Sequence, residues 1–334
     1  MKRLIGMLVG AAALIGLATP FAAAAAEKQV RIGYQKYGTL IILKEQGLLE
    51  KRLEPLGYNV VWTEFPGGPQ LLEALNVGAL DFGTTGEAPP IFAQAAGAPL
   101  LYVGYEPASP KGEALLVPKD STIRSVAQLK GRKVALNKGS NVHYLLVKAL
   151  ERAGLSVADI EPVYLPPADA RAAFERGAVD AWAIWDPFYA AASVATGART
   201  LTDGTGTDGT GTDGTGPDGA GSDGAGLVKN HQFFLAAKPF AAANQPAIDA
   251  ILAGLAEIDD WAGKNVRAVA EQLGPKVGIP VPVLEIAASR QGYGLRPIDA
   301  EVIAEQQRIA DTFFALKLIP KKIDVSTAVP GSKS

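Results

Sequence analysis

The sequence predicts an α/β protein of two similar lobes, joined by two chain crossings, with one ligand held between them. Strands and helices alternate along most of the chain, the pattern of parallel sheets covered by helices. Part of the first half recurs at a shift of 174 − 75 = 99 residues: Leu75, Gly78, Ala79, Asp81 and Glu87 fall on Phe174, Gly177, Ala178, Asp180 and Asp186. A second unit is echoed too. Val30 to Gln46 and Lys133 to Ala153 both run strand, lysine, glycine with a hydroxyl residue, then helix. The 334 residues suit two lobes of ordinary size.

Taken in order, Val30 to Tyr34 alternates and reads as the first strand, and Thr39 to Glu50 carries the apolar face of a helix with its start at Gly38-Thr39. Tyr58 to Trp62 is a strand, Pro66 to Pro69 a turn, and Gln70 opens a helix that runs to Gly78. Asp81 to Pro90 then reads as a short buried strand and a turn of small residues leading into a helix at Ile91. Leu100 to Gly104 is a strand, and the proline-bearing stretch Glu106 to Gly112 is the expected crossing. In the second lobe Leu115 to Val117, Lys133 to Leu136 and Val163 to Leu165 read as strands. Ser125 to Gly131, Val142 to Ala153 and Asp169 to Arg176 read as helices, the first with a glycine stop. Asp180 to Pro187 repeats the strand and turn of the first lobe.

Thr202 to Gly226 differs in kind: it is a run of pentapeptides, TDGTG, TDGTG, TDGTG, PDGAG and SDGAG. Nothing in it can bury a core, so it predicts a flexible, solvated insertion. Its glycines match a dinucleotide fingerprint by letter, but no strand precedes them and no amphipathic helix follows. Its aspartates match no ordered calcium loop. His231 to Ala237 reads as the strand of the return crossing, and Ala247 to Leu273 and Asp299 to Leu316 as amphipathic helices. The domain plan is thus 27–106 with 232–324 as one lobe, 107–201 as the other, 202–226 as insertion and 325–334 as a flexible tail.

Residues 1–26 have the form of a cleaved signal peptide. Lys2 and Arg3 precede an apolar core, Leu4 to Leu17, shorter than the roughly 20 residues a membrane span needs, and small residues near Ala26 suit cleavage. An exported, periplasmic chain is expected, with charge (32 − 2) − 34 = −4 after cleavage, no basic excess for nucleic acid and no cysteine for a disulfide or lipid anchor.

No catalytic constellation stands out. Cysteine is absent, His143 and His231 stand apart without metal-ligand spacing, and there is no nucleophile elbow or phosphate loop. The expectation is a binding protein, not an enzyme, with no cofactor and no metal. Its candidate groups lie at helix starts and duplicated turns. Gly38-Thr39 and Gly139-Ser140-Asn141 offer unpaired N–H groups and hydroxyls, either as an anion cradle or as plain caps. Gly83 and Gly86 let the backbone approach a ligand, flanked by Thr84, Thr85 and Glu87. Trp182 and Trp185 wall an apolar group, or one is core and one is wall. Glu87 and Asp186 orient a ligand amine or hydroxyl, or hold the hinge. Gln35, Gln70 and His143 complete the set.

A resemblance rests on longer motifs: Phe65 to Gly78, Asp81 to Leu101, Ala168 to Phe174, Asp180-Ala-Trp-Ala-Ile-Trp-Asp-Pro187, Ile32 to Lys36 and Pro320 to Lys322. On these the chain closely resembles the periplasmic aliphatic sulfonate-binding proteins of ABC importers, over nearly all of Val30 to Asp324. The resemblance implies a type II periplasmic-binding-protein fold, monomeric and hinged, that binds an alkanesulfonate for sulfur supply and passes it to a membrane permease and its ATPase. It also implies a cleft built from Gln35, Thr84 to Glu87, Gly139 to Asn141 and Trp182 to Asp186. Taurine, nitrate or a thiamine-precursor pyrimidine are the alternative ligands of related proteins. Asn141-Val142 departs from the family's serine-rich cradle, and the pentapeptide run replaces a shorter loop.

Overall fold

The structure is a computed structural model that describes residues 28–207 and 226–331. The signal peptide expected at 1–26 lies outside the described residues, as do most of the pentapeptide run and residues 332–334.

Two five-stranded sheets carry the molecule. The first contains β1 (Lys28–Tyr34), β2 (Tyr58–Glu64), β3 (Phe82–Gly86), β4 (Leu100–Tyr105) and β10 (Gln232–Ala237), in the order β2-β1-β3-β10-β4. The second contains β5 (Glu113–Val117), β6 (Lys133–Leu136), β7 (Glu161–Tyr164), β8 (Ala181–Trp185) and β9 (Arg199–Asp203), in the order β7-β6-β8-β5-β9. Position for position these are one order. The echo in sequence is therefore an echo in space: β3 and β8 begin 181 − 82 = 99 residues apart.

Each sheet is mixed, where alternation of strands and helices predicts mostly parallel neighbours. β1 runs parallel to β2 and β3, and β6 parallel to β7 and β8. β10 runs antiparallel to β3 and β4, and β5 antiparallel to β8 and β9. The cause is connectivity. β5 and β10 are the strands on which the chain arrives from the opposite sheet, so they enter pointing the other way.

Helices follow the parallel strands. These are α1 (Thr39–Gln46) and α2 (Leu48–Leu53) after β1, α3 (Gly68–Asn76) after β2 and α4 (Pro89–Ala95) after β3. In the second lobe α5 (Asn141–Arg152), α6 (Pro167–Glu175) and α7 (Phe188–Thr196) take the matching places. The single helix expected from Thr39 to Glu50 is broken because Gly47 takes a left-handed turn, φ 59°, that closes α1. Strand alternation in β10 sends Phe233 and Leu235 into one core with Leu72, Tyr102 and Phe313, and Phe234 and Ala236 into another with Ile32, Leu43 and Ile251. The second lobe has one core around Leu115, Leu136, Leu146 and Trp182.

The C-terminal third adds α8 (Lys238–Ala243), α9 (Gln245–Lys264), α10 (Val266–Val277), α11 (Val281–Arg290) and α12 (Ala300–Ala315). The one helix read from Ala247 to Leu273 breaks at Asn265, which leaves helical backbone and whose side chain donates to the Trp261 carbonyl at 2.7 Å. α11 was not anticipated at all. It packs Val283 and Ala287 on Ala190 and Ala191 of α7, in the second lobe.

Two expectations of disorder need correction. The tail from 325 is pinned as far as it is described: Val325 and Ala328 are buried, and the Gln94 amide donates to the Asp324 carbonyl at 2.7 Å. The insertion does not begin at Thr202 either. Thr202 and Asp203 finish β9 and are buried, and Asp203 Oδ1 accepts from the Thr205 N–H at 2.8 Å. Residues 208–225 lie outside the described residues.

The two crossings run side by side. The Glu106 N–H donates to the Gln232 carbonyl at 2.8 Å and the Ser109 N–H to the Lys229 carbonyl at 3.0 Å. Asn230 sits between them with φ 54°, a conformation asparagine tolerates, and its amide donates to the Ser109 carbonyl at 2.9 Å.

Candidate functional site

A cleft of about 830 Å³, open to solvent at its mouth, lies where the two sheets face each other. It is lined at one end by the starts of five helices: Gly38 before α1, Gly68 in α3, Pro89 in α4, Ser140 and Asn141 at α5, and Pro187 before α7. This follows from topology, since in an α/β sheet the helix after each parallel strand starts at that strand's C-terminal end.

The N-caps bear on the choice between cradle and plain cap. At Gly38, Gly67, Ala88 and Ser140 the N-cap residue's own side chain makes no cap, as at α2 and α8 to α11, whereas the start of α7 is taken by Asp186, whose Oδ1 accepts from the Ala190 N–H at 3.0 Å. By contrast, α12 is closed by Asp299, whose carboxylate accepts from the Val302 N–H at 2.8 Å. The Ser140 hydroxyl turns away to donate to the Asn137 carbonyl at 2.7 Å. The cleft therefore gathers the starts of α1, α3 and α5, whose amides lack side-chain caps and favour an anion, while α4 opens with Pro89 and Pro90, which have no N–H to offer. One start is partly occupied: the Asn141 side chain accepts from the Ala88 N–H at 3.3 Å and donates to Asn230 Oδ1 at 2.5 Å, tying the second lobe to the first and to the hinge.

Among the sequence-predicted residues, the cleft brings together Gln35, Gly86, Ser140, Asn141, Trp185 and Asp186. Gln35 is buried and donates to the Thr84 carbonyl at 3.1 Å. Gly86 makes room for the Asn141 amide, on which a Cβ there would land. Asp186 receives the Ala190 N–H at 3.0 Å and the Arg290 guanidinium at 3.2 Å, and Arg290 also lies 4.2 Å over the Tyr189 ring. Burial pushes the Asp186 carboxyl up to about 6, with Arg290 pulling the other way.

The other predicted residues stand behind the cleft. Thr84 and Thr85 are buried and their hydroxyls donate to the Phe233 and Gly86 carbonyls. Glu87 holds the return crossing: it accepts from the His231 N–H at 3.0 Å, and burial pushes its carboxyl up to about 7. Gly139, φ 76°, backs onto Phe92. His143 is fully buried between Phe92 and Phe313 of the first lobe, 6.2 and 5.8 Å away. Desolvation lowers its pKa to about 4, so it is neutral and accepts from the Gly139 N–H at 3.2 Å. Trp182 is a core residue, 1% exposed and packed on Phe174. Of the two tryptophans only Trp185 walls the cleft.

Sequence reasoning missed two groups. Tyr37 from the turn before α1, Ser109, Asn230 and Gln232 from the crossings and Gln291 just after α11 add polar lining. Ile42 of α1, Val269, Ala270 and Leu273 of α10, and Leu284, Ala287 and Ala288 of α11 form an apolar side. Helical spacing at Val269, Ala270 and Leu273 is visible in the sequence, but periodicity does not say whether an apolar face meets a core or a cleft. Among the described residues Lys36 is the cation that lines the cleft, and no arginine does. Among the described residues no cluster of three or more histidine, aspartate or glutamate side chains could hold a metal ion.

Comparison with known proteins follows the same line. The profile of a family described as NMT1/THI5 like matches residues 59–201. The aliphatic sulfonates-binding protein of Escherichia coli (strain K12) is 46% identical over 306 residues, 91% of this chain and 89% of the relative. The crystal structure of the E. coli periplasmic aliphatic sulphonate binding protein SsuA covers 92% of this chain and 93% of that one, with TM-score 0.75 and 45% identity. The alkanesulfonate-binding protein SsuA of Xanthomonas axonopodis pv. citri, solved bound to MOPS, covers 92% and 99%, with TM-score 0.80 and 43% identity.

Proposed function

The chain belongs to the aliphatic sulfonate-binding protein family, and from that premise we propose that it captures alkanesulfonates outside the cytoplasm and delivers them to an ABC importer. The observation that carries this reading is that the starts of α1, α3 and α5, without side-chain caps, open on one cleft from both lobes. A sulfonate is a fixed monoanion with three acceptor oxygens. It needs several N–H donors and a modest positive potential, and it leaves an apolar tail to be covered.

The magnitudes suit such a ligand. Each helix terminus contributes roughly 0.3–1 kcal/mol to holding an anion, and about 2 kcal/mol where partly buried. Several termini acting together reach a few kcal/mol before hydrogen bonds to the charged oxygens are added. An arginine is then unnecessary, in keeping with a lining whose cation is Lys36. Nitrate and sulfate suit the cleft less well, because they leave its apolar side covered by nothing but water.

In this mechanism the head accepts from the starts of α1 and α3 in one lobe and of α5 in the other. Trp185 covers the first carbons of the tail. Because the donors come from both lobes, binding favours closure, and the closed form docks on the permease. The protein acts as an exported monomer, with 1–26 removed on export, and performs no chemistry on its ligand.

Calorimetric titration tests this, on mature protein unfolded and refolded to strip carried ligand. Ethanesulfonate and octanesulfonate are expected to bind with micromolar or tighter constants while sulfate is silent. Silence toward both sulfonates, with binding of nitrate, taurine or a pyrimidine, would overturn the ligand assignment. Conversion of a bound sulfonate, seen by mass spectrometry, would overturn the transport reading in favour of an enzyme.

A further inference from the structure

The polar and apolar parts of the cleft are built from different elements. The helix starts supply one end. The apolar side comes from α10 and α11, whose lining residues repeat at one-turn spacing, Val269 with Leu273 and Leu284 with Ala288. The two ends meet along α1, where Gly38 faces the polar end and Ile42, four residues on and about 6 Å along the helix, faces the apolar one.

We propose that the α10–α11 hairpin is a chain-length gauge, a compartment for the ligand's tail whose depth is set by Ala287 and Ala288. This rests on the sulfonate reading and deepens it: the ligand class is sulfonates with an unsubstituted alkyl tail of several carbons. Ala287 and Ala288 are small and partly accessible where the surrounding wall is valine, leucine and isoleucine. Nothing polar from α10 lines the cleft, and α11 contributes none before Gln291 at its end. Water there has few partners and is readily displaced by methylenes.

The wall is also held on both sides, as a gauge must be. Leu273, Leu284 and Ala288 belong to the first lobe's core, while Val283 and Ala287 pack on Ala190 and Ala191 of the second. Arg290, at the end of α11, reaches Asp186 across the same seam. A side chain added at an alanine therefore enters the compartment, because the helices have no room to retreat.

The test is a titration series with ethane-, butane-, hexane-, octane- and decanesulfonate. In the natural protein each methylene is expected to tighten binding about fourfold until the compartment is full, after which the series flattens. In Ala288→Leu the ratio of octane- to ethanesulfonate affinity should fall at least tenfold, and the flattening should move to a shorter chain. Ala287→Val, a smaller intrusion, should shift the same ratio less. A flat series in the natural protein, or an unchanged ratio in variants that retain ethanesulfonate binding, overturns the gauge and leaves the sulfonate reading standing. Loss of all sulfonate binding by the natural protein overturns both.

Discussion

The turn after β3 and the turn after β8 occupy equivalent places, 99 residues apart, yet they are made of opposite materials. Gly83 corresponds to Trp182, Gly86 to Trp185 and Glu87 to Asp186. In the first lobe Leu71 fills the space above Gly83, where a Cβ would come within 2.6 Å of its methyl. In the second, the residue in the register of Leu71 is Ala170, and Trp182 does the filling from the strand. The cores exchange large for small between strand and helix and keep their packing. At the cleft, Gly86 makes room for Asn141 while Trp185 presents a wall. Duplication preserved the frame and let the two halves of the pocket diverge, so the cleft can hold a ligand with unlike ends.

The largest effect should come from the position that is frame alone. Trp182→Ala is expected to cost about 3–5 kcal/mol of stability by opening a core cavity, while leaving the affinity of the folded fraction within about threefold. Urea unfolding together with titration measures both. A large, specific loss of affinity at unchanged stability would put Trp182 back at the ligand.

The two acids divide in the same way. Glu87 is buried against the return crossing, and its carboxyl lies at about 7, above the ordinary carboxylate value. Between the unfolded value and about 7 the folded chain holds a proton that the unfolded chain has lost. Stability therefore falls as pH rises through that window and stays at the lower level above it. Glu87→Gln keeps an acceptor for the His231 N–H and removes the titration. Relative to the natural protein it should gain stability between pH 5 and pH 8, by up to about 3 kcal/mol. Parallel unfolding curves for the two proteins across that range would remove Glu87 as the source.

Gly86→Ala tests the empty side of the comparison. The added methyl meets the Asn141 side chain, which must then give up its bonds to the Ala88 N–H and to Asn230. At about 1 kcal/mol for each bond, closure weakens by about 2 kcal/mol and ligand affinity by roughly thirtyfold. The melting temperature should change little, since the lobes can part to relieve the contact. Calorimetry and a thermal scan on one sample separate the two effects.

What could be read in advance divides along the same line. The frame was legible because its signals are local: alternation in β1, small residues in the first turn, and the shifted echo of Asp81 and Glu87 in Asp180 and Asp186. Direction within the sheets was not, since β10 and β5 reach their sheets from the far lobe and no local pattern records that. The whole of α11 escaped for a related reason. Its apolar residues fit a helix, but which partner they face is decided by packing 92 residues away, on Ala190 and Ala191 (Val283 lies 283 − 191 = 92 residues on). Trp182 and Trp185 look alike in sequence, and only strand alternation against a known core separates them.

The smallest effect concerns the seam between Asp186 and Arg290, and it separates the two acids most sharply. Asp186, unlike Glu87, lines the cleft, so its charge acts directly on a bound anion. Burial holds its carboxyl at about 6 and Arg290 keeps it from rising further. Sulfonate affinity in the natural protein should therefore weaken as pH rises through about 6, where Asp186 ionises and repels the head. In Arg290→Gln the carboxyl loses its partner and titrates at higher pH, and the affinity break should move up with it. At pH 8 the variant should bind severalfold more weakly, about 1 kcal/mol, having lost a cation that is only about a quarter exposed. Titrations from pH 5 to 9 read both the break and the plateau. Glu87→Gln is the control: its carboxyl faces the crossing, so its substitution should leave the affinity break where it was. If the break followed Glu87 and ignored Arg290, the acid at the hinge would be the one the ligand senses, and the roles assigned to the two turns would have to be exchanged.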